Sequence, residues 1–193
     1  QGINELGHKI KIYCIRPAER SPNVINKNVQ GIVDGVQYVY PAKTTIWPNS
    51  KIERIYIYLK GIILTWKSIN QQHKIEKIDV LLSYSYSILI NNFFRILSKL
   101  HKIKFVYFVD EYPYSILYPK KYGPIYRWYE LNHFYKIFDS LLVITTPLKE
   151  FYETRIKQNA KIDIIPMTVQ PKRFESVLEE SLFPKPYFAY AGY

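Results

Sequence analysis

The sequence predicts an α/β domain, built as a doubly wound, mostly parallel sheet with helices on both faces. Three observations carry that expectation. Short apolar runs alternate along the chain with longer stretches at helical spacing. The runs are nearly all apolar, as in strands covered on both faces, instead of alternating apolar with polar. The 193 residues, 48% hydrophobic and 17% aromatic, suffice for one well-filled core.

Lys9–Ile15 reads as the first strand, ended by Arg16-Pro17. A polar stretch over 18–34 has no clear period and reads as partly looped. Val36–Tyr40 is a second short strand, closed by Pro41. Arg54 to Gln72 is the first strong helix, because Ile55, Leu59, Ile62, Trp66 and Ile69 recur at spacings of four and three. Asp79–Ser83 follows as a buried strand. Tyr86 to Lys102 is the next helix, with Tyr86, Leu89, Phe93, Leu97 and Leu100 on one face and Asn92, Arg95 and Lys99 off it. Lys104–Val109 is an apolar strand. Pro124 opens a helix reaching about Phe138, since proline suits the first helical position. Ser140–Ile144 is a strand. Thr146-Pro147 then supplies an N-cap and a first-turn proline for a helix running to about Lys157. Lys161–Ile165 is the last strand before Pro166, and Pro184 to Pro186 reads as a linker.

Composition excludes several classes. One cysteine, Cys14, allows no intrachain disulfide framework and no four-cysteine zinc site. His8, His73, His101 and His133 stand singly, without metal-ligand spacing. No P-loop, no G-x-G-x-x-G and no G-x-S-x-G elbow is present. No run of about 18 uncharged apolar residues appears, so no membrane-spanning helix is expected.

The net charge of +11 is unevenly placed. Residues 1–104 hold 16 Lys/Arg against 6 Asp/Glu, whereas the remainder holds 11 against 10. Such asymmetry suits an anionic partner or a solvated lysine-rich surface. The two helices in the basic half carry Lys60, Lys67, Arg95, Lys99 and Lys102, which raises the expectation of peripheral contact with an anionic membrane face.

In open α/β sheets, ligands bind beyond the carboxyl ends of the strands. Arg16, Ser83 and Tyr84, Asp110 and Glu111, and Thr145 and Thr146 all directly follow strands. The Asp110-Glu111 pair is the sharpest candidate, because two adjacent carboxylates at a strand end can position a hydroxyl or act as a base. A solvated loop is the competing account of the pair.

The order and wording of several segments resemble the N-terminal, acceptor-side domain of family-4 glycosyltransferases of the GT-B fold. Leu6-Gly7-His8-Lys9-Ile10 is similar to their G-H-x-V turn, with Arg16-Pro17 following. Asp79–Ser83 resembles a D-V-I strand, and Glu111-Tyr112-Pro113 an E-Y-P turn. Phe138-Asp139-Ser140 through Leu148-Lys149-Glu150-Phe151-Tyr152 resembles a strand and helix of the family. Ile165-Pro166 through Arg173-Phe174 resembles I-P-N-G-V-D-P-x-R-F, and Tyr187 to Gly192 the first strand of a C-terminal domain. The chain departs from the pattern at Met167-Thr168, where many members have Asn-Gly. It departs again at Val109, where many have a histidine, so no histidine role carries over.

The resemblance implies a hexosyltransferase-type enzyme. It would move a sugar from a nucleotide-sugar donor to a hydroxyl acceptor in polysaccharide or glycolipid assembly, without a metal or other cofactor. It implies that residues 1–176 form the N-terminal domain lacking its first strand. Residues 177–193 would be the linker and first strand of a C-terminal domain that holds most of the donor site. The piece alone is then expected to be inactive. Glu111 and Asp110 are the expected catalytic pair, with Arg16, Tyr84 and Thr145 binding the acceptor. The expected location is the cytoplasm, with peripheral contact at the inner face of the membrane, and no nucleic-acid partner. Two rivals stand beside this reading: a non-catalytic α/β interaction domain and a basic nucleic-acid-binding module.

Overall fold

A computed structural model describes residues 6–166. The expected linker and second-domain strand at 177–193 lie outside the described residues. The chain runs β1 (Lys11–Tyr13), β2 (Gln30–Val33), β3 (Val36–Val39), α1 (Lys51–Ile75), β4 (Val80–Ser83), α2 (Ile88–His101) and β5 (Lys104–Val109). It continues through α3 (Tyr114–Leu117), α4 (Pro124–Asn132), a 3-10 turn at Phe134–Ile137, β6 (Ser140–Val143), α5 (Thr146–Glu153) and β7 (Lys161–Ile164).

The strands form two sheets among the described residues. β4, β5, β6 and β7 lie side by side in chain order, all parallel, with Leu81 beside Phe105 and Tyr107 beside Leu141. This is the parallel α/β layer that the all-apolar runs announce. The smaller sheet has the order β1-β3-β2, with β1 parallel and β2 antiparallel to β3. Here the structure refines the partly looped reading of 18–34. Its end is strand β2, turned back into β3 by Asp34-Gly35, both at positive φ (50° and 77°). A two-residue turn with both centres at positive φ matches the twist of a hairpin, and Asp-Gly adopts it at little cost.

The core lies between the parallel sheet and its helices. Phe105, Tyr107, Val109, Leu141 and Val143 point the same way from β5 and β6 and are fully or almost fully buried. Leu97 of α2, Phe138 after the 3-10 turn, and Leu148 and Tyr152 of α5 close over them. The Tyr107 and Phe138 rings stack at 4.6 Å, 13° from parallel. The small sheet joins this core through α1. The Tyr13 hydroxyl meets Ser68 Oγ at 3.2 Å. Gly61 lets the Ile15 backbone pass against the helix, since a Cβ there would stand 2.6 Å from the Ile15 carbonyl oxygen.

Three helical expectations are revised. α1 buries Gly61, Ile62, Thr65 and Ile69, while Ile55 and Leu59 of the expected stripe face solvent. α2 buries Ile90, Asn91, Phe94, Leu97 and Ser98, and leaves Leu89 and Leu100 largely exposed. This helix has apolar residues on more than one face, so periodicity alone does not say which one meets the sheet. The helix opened by Pro124 ends at Asn132, breaks at His133 and resumes only as the 3-10 turn.

At the amino end of β6, Asp139 pins the sheet. Its backbone N–H donates to the Phe105 carbonyl at 2.7 Å. Its carboxylate accepts from the Phe105 N–H (2.9 Å), Arg95 Nη1 (2.9 Å) and Lys157 Nζ (2.8 Å). Arg95, expected off the buried face, therefore turns inward, and only 16% of its side chain is exposed.

Candidate functional site

The carboxyl ends of β4 and β5 bring a carboxylate and two phenols together. Ser83 ends β4, and Tyr84-Ser85-Tyr86 form a short connection before α2 begins. Both phenols reach Asp110, the first residue beyond β5. The Tyr84 hydroxyl donates to Asp110 Oδ2 at 2.6 Å, and the Tyr86 hydroxyl donates to Oδ1. The Tyr86 ring stacks on Tyr114 at 4.4 Å, 23° from parallel, and Tyr84 lies 5.5 Å from Phe108.

The loop bearing the phenols is held from beneath by Asn91, which is completely buried. Its Nδ2 donates to the carbonyls of Ser85 (2.5 Å) and Ser87 (3.1 Å), and its Oδ1 accepts from Ser83 Oγ (2.6 Å). Ser87 caps α2 by accepting from the Ile90 N–H and also accepts from the Tyr58 hydroxyl at 3.1 Å. On the other side, the loop after Asp110 is tied to α4. Buried Glu130 accepts from the Ser115 N–H at 3.2 Å, supplying a start-of-helix acceptor that Pro113, the residue before α3, cannot.

The electrostatics favour phenols that stay protonated. Donation to the Asp110 carboxylate, burial and the negative charge nearby push Tyr84 up to about 12. Burial first, then donation to Asp110, pushes Tyr86 far above the ordinary tyrosine range. Both hydroxyls are thus fixed donors to Asp110 at neutral pH. Each carboxylate oxygen retains a second lone pair, so Asp110 can accept one more hydrogen bond from a ligand hydroxyl.

Beside this group lies an open cleft of about 630 Å³, lined by Tyr86, Ser87, Ile88, Leu89, Asn92, Tyr122 and Tyr126. The Tyr122 and Tyr126 rings stack at 4.6 Å. No charged side chain is in that lining. Tyr86 belongs both to the cleft and to the Asp110 group.

The other expected site residues fall differently. Glu111 is exposed, and its carboxylate has no hydrogen-bond or ion-pair partner among the described residues. Its structural role is its backbone carbonyl, which accepts from the Tyr152 hydroxyl at 3.0 Å. Arg16 lies over the Trp47 ring at 4.6 Å, beside the small sheet, and makes no hydrogen bond to the Asp110 group. Thr145 caps α5, its hydroxyl accepting from the Leu148 N–H at 3.4 Å. Of the five, the structure joins only Tyr84 and Asp110. Tyr86, which the periodicity assigns to a buried helix face, instead precedes the helix and completes the group. The signal for it is the Tyr-x-Tyr spacing directly after a strand. Among the described residues no group of three or more His, Cys, Asp or Glu side chains is placed to hold a metal ion, and no described helix is long and apolar enough to cross a membrane.

No protein-family model, curated protein or solved structure matches the chain. The class that the structure itself defines is an α/β domain with a parallel sheet flanked by helices and a carboxylate–phenol group at the carboxyl edge of that sheet.

Proposed function

We propose that this chain is the acceptor-binding part of a sugar-transferring enzyme, with Asp110 receiving the acceptor hydroxyl. The observation that supports it best is the Asp110 carboxylate, held by two phenols at the edge of an uncharged, tyrosine-lined cleft. Aromatic faces suit the C–H faces of a sugar ring, and a fixed carboxylate suits its hydroxyls. In transfer, the acceptor oxygen would bond to the anomeric carbon of a nucleotide-activated sugar as the bond to the diphosphate breaks. The hydroxyl proton would pass to Asp110. The two tyrosines hold the carboxylate in one orientation, which lowers the entropy that positioning costs.

The reading favours Asp110 over Glu111 as the group at the reacting hydroxyl. It is tested by assaying sugar transfer from a panel of nucleotide sugars with the natural full-length protein, its Asp110→Asn variant and its Glu111→Gln variant. Removing a general base costs on the order of 10²–10⁴-fold in rate. That loss is expected for Asp110→Asn, with little change for Glu111→Gln. Transfer unaffected by Asp110→Asn in a folded protein, or no transfer from any nucleotide sugar, would overturn the proposal.

A further inference from the structure

The exterior of α1 carries apolar residues where a solvent-facing helix ordinarily carries polar ones. Ile52 is 80% exposed, and Ile55, Tyr56 and Ile63 are each more than half exposed, with Leu59 nearly so. At spacings of three and four these positions form one stripe along the helix, away from the buried Gly61, Thr65 and Ile69. On α2, Leu89, Ile96 and Leu100 are each more than half exposed and form a second stripe. The two helices touch through Trp66 and Phe93, whose rings are 4.5 Å apart. On each helix that contact residue borders the exposed stripe, and with Tyr58 beside Ser87 and Asn70 beside His101 the two stripes lie staggered along one seam.

The rim of this face is cationic. Lys60, Lys67 and Lys74 recur every seven residues and so follow one flank of the α1 stripe. Lys99, exposed, follows the α2 stripe, and Lys102 closes that helix. The two helices carry seven Lys/Arg and one acidic residue, Glu53. Two of these cations are engaged elsewhere: Arg95 on Asp139, and Arg54 on the Pro48 carbonyl beside the Trp47 ring.

We infer that the α1–α2 face docks on an anionic lipid surface, with the two apolar stripes entering the headgroup boundary and the lysines meeting lipid phosphates. An apolar stripe bordered by lysines is the arrangement of helices that lie in a membrane interface. Its charge selects this occupant over a second copy of the chain, because pairing two such faces would bring their lysine rims together. This inference does not rest on the sugar-transfer reading. It adds to the purely electrostatic expectation the exposed apolar stripes that lie beside the lysines.

The test is co-sedimentation of the chain with vesicles of phosphatidylcholine alone and of an equal mixture of phosphatidylcholine and phosphatidylglycerol, at low and high salt. Binding to the mixed vesicles is expected, falling as salt rises, with much weaker recovery on the neutral ones. A cation near an anionic leaflet contributes about a fivefold change in partitioning, so Lys60→Gln/Lys67→Gln/Lys99→Gln should weaken binding on the order of 100-fold. Leu59→Glu/Ile63→Glu should abolish it with the circular dichroism spectrum unchanged, since both residues are surface-facing. Equal recovery on both lipids, no recovery on either, or binding unaltered by the Leu59→Glu/Ile63→Glu pair would overturn the inference. So would sedimentation equilibrium showing a dimer that this pair dissociates, because the face would then be an interface between copies.

Discussion

Replacing Asp139 by Asn removes one charge from the point where β5, β6, α2 and the loop after α5 are tied together. Burial by itself would raise the Asp139 pKa. Hydrogen bonds from Lys157, the Phe105 N–H and Arg95 more than reverse this and hold it at about 2, against an ordinary 3.8. A difference of roughly two units, at 1.36 kcal/mol each, corresponds to about 2.5 kcal/mol at neutral pH. The side chain is 33% exposed, so solvent screening trims that to about 1.5–2 kcal/mol. The variant also leaves Arg95, only 16% exposed and with its Nε already lacking a partner, without its counter-charge. That adds a further loss, because a half-removed buried pair costs more than the pair contributes. The expected destabilisation is about 2–3 kcal/mol, which for a chain of this size lowers Tm by roughly 4–10 °C. The sign of the pH dependence follows from a depressed carboxyl pKa. The stabilisation is present above the ordinary value of 3.8 and is lost as the pH falls toward about 2. Urea unfolding of both proteins from pH 7 down to pH 2 should therefore show a gap that is constant above pH 5 and closes at the acid end. A gap below about 0.5 kcal/mol, comparable to an ordinary surface substitution, or one that does not change with pH, would refute the assignment of Asp139 as an ionised staple.

Two further outcomes follow from the same geometry. Gly61→Ala should destabilise the chain by about 1–3 kcal/mol despite the better helix propensity of alanine, because the new Cβ would sit 2.6 Å from the Ile15 carbonyl oxygen and backbone must move; a rise in Tm would show that the small sheet does not press on α1. Tyr84, observed by NMR of ring-labelled tyrosine and assigned with Tyr84→Phe, should ionise near 12 and return toward 10 in Asp110→Asn. Its pKa is raised in the folded state, so its contribution to stability is intact below pH 10 and is lost as the pH climbs through about 12; an unchanged titration in Asp110→Asn would separate the two groups.

Much of the fold was legible in the chain because strands buried in a parallel sheet must be apolar throughout. Lys104–Val109 and Ser140–Ile144 could hardly be anything else, and the helix start at Thr146-Pro147 announces itself chemically, although the capping side chain is Thr145, one residue before the expected one. The same reasoning reached Asp110 and Tyr84, since the end of a strand fixes where the next polar residues emerge. The Asp34-Gly35 hairpin was also present as a local signal, although the polar residues before it masked β2. Other features belong to no local pattern. Which face of α2 meets the sheet was undecided by a helix that is apolar on several sides, and the choice came from the sheet beneath it, where Asn91 meets Ser83 at the end of β4. Arg95 and Asp139 are 44 residues apart, and Tyr86 and Asp110 are 24 apart. Their pairing depends on strands laid side by side at one register. Local sequence determined the elements and the edge at which polar groups appear. Long-range packing alone decided which of those groups meet, because hydrogen-bond partners across a sheet are set by neighbouring strands and carry no period along the chain.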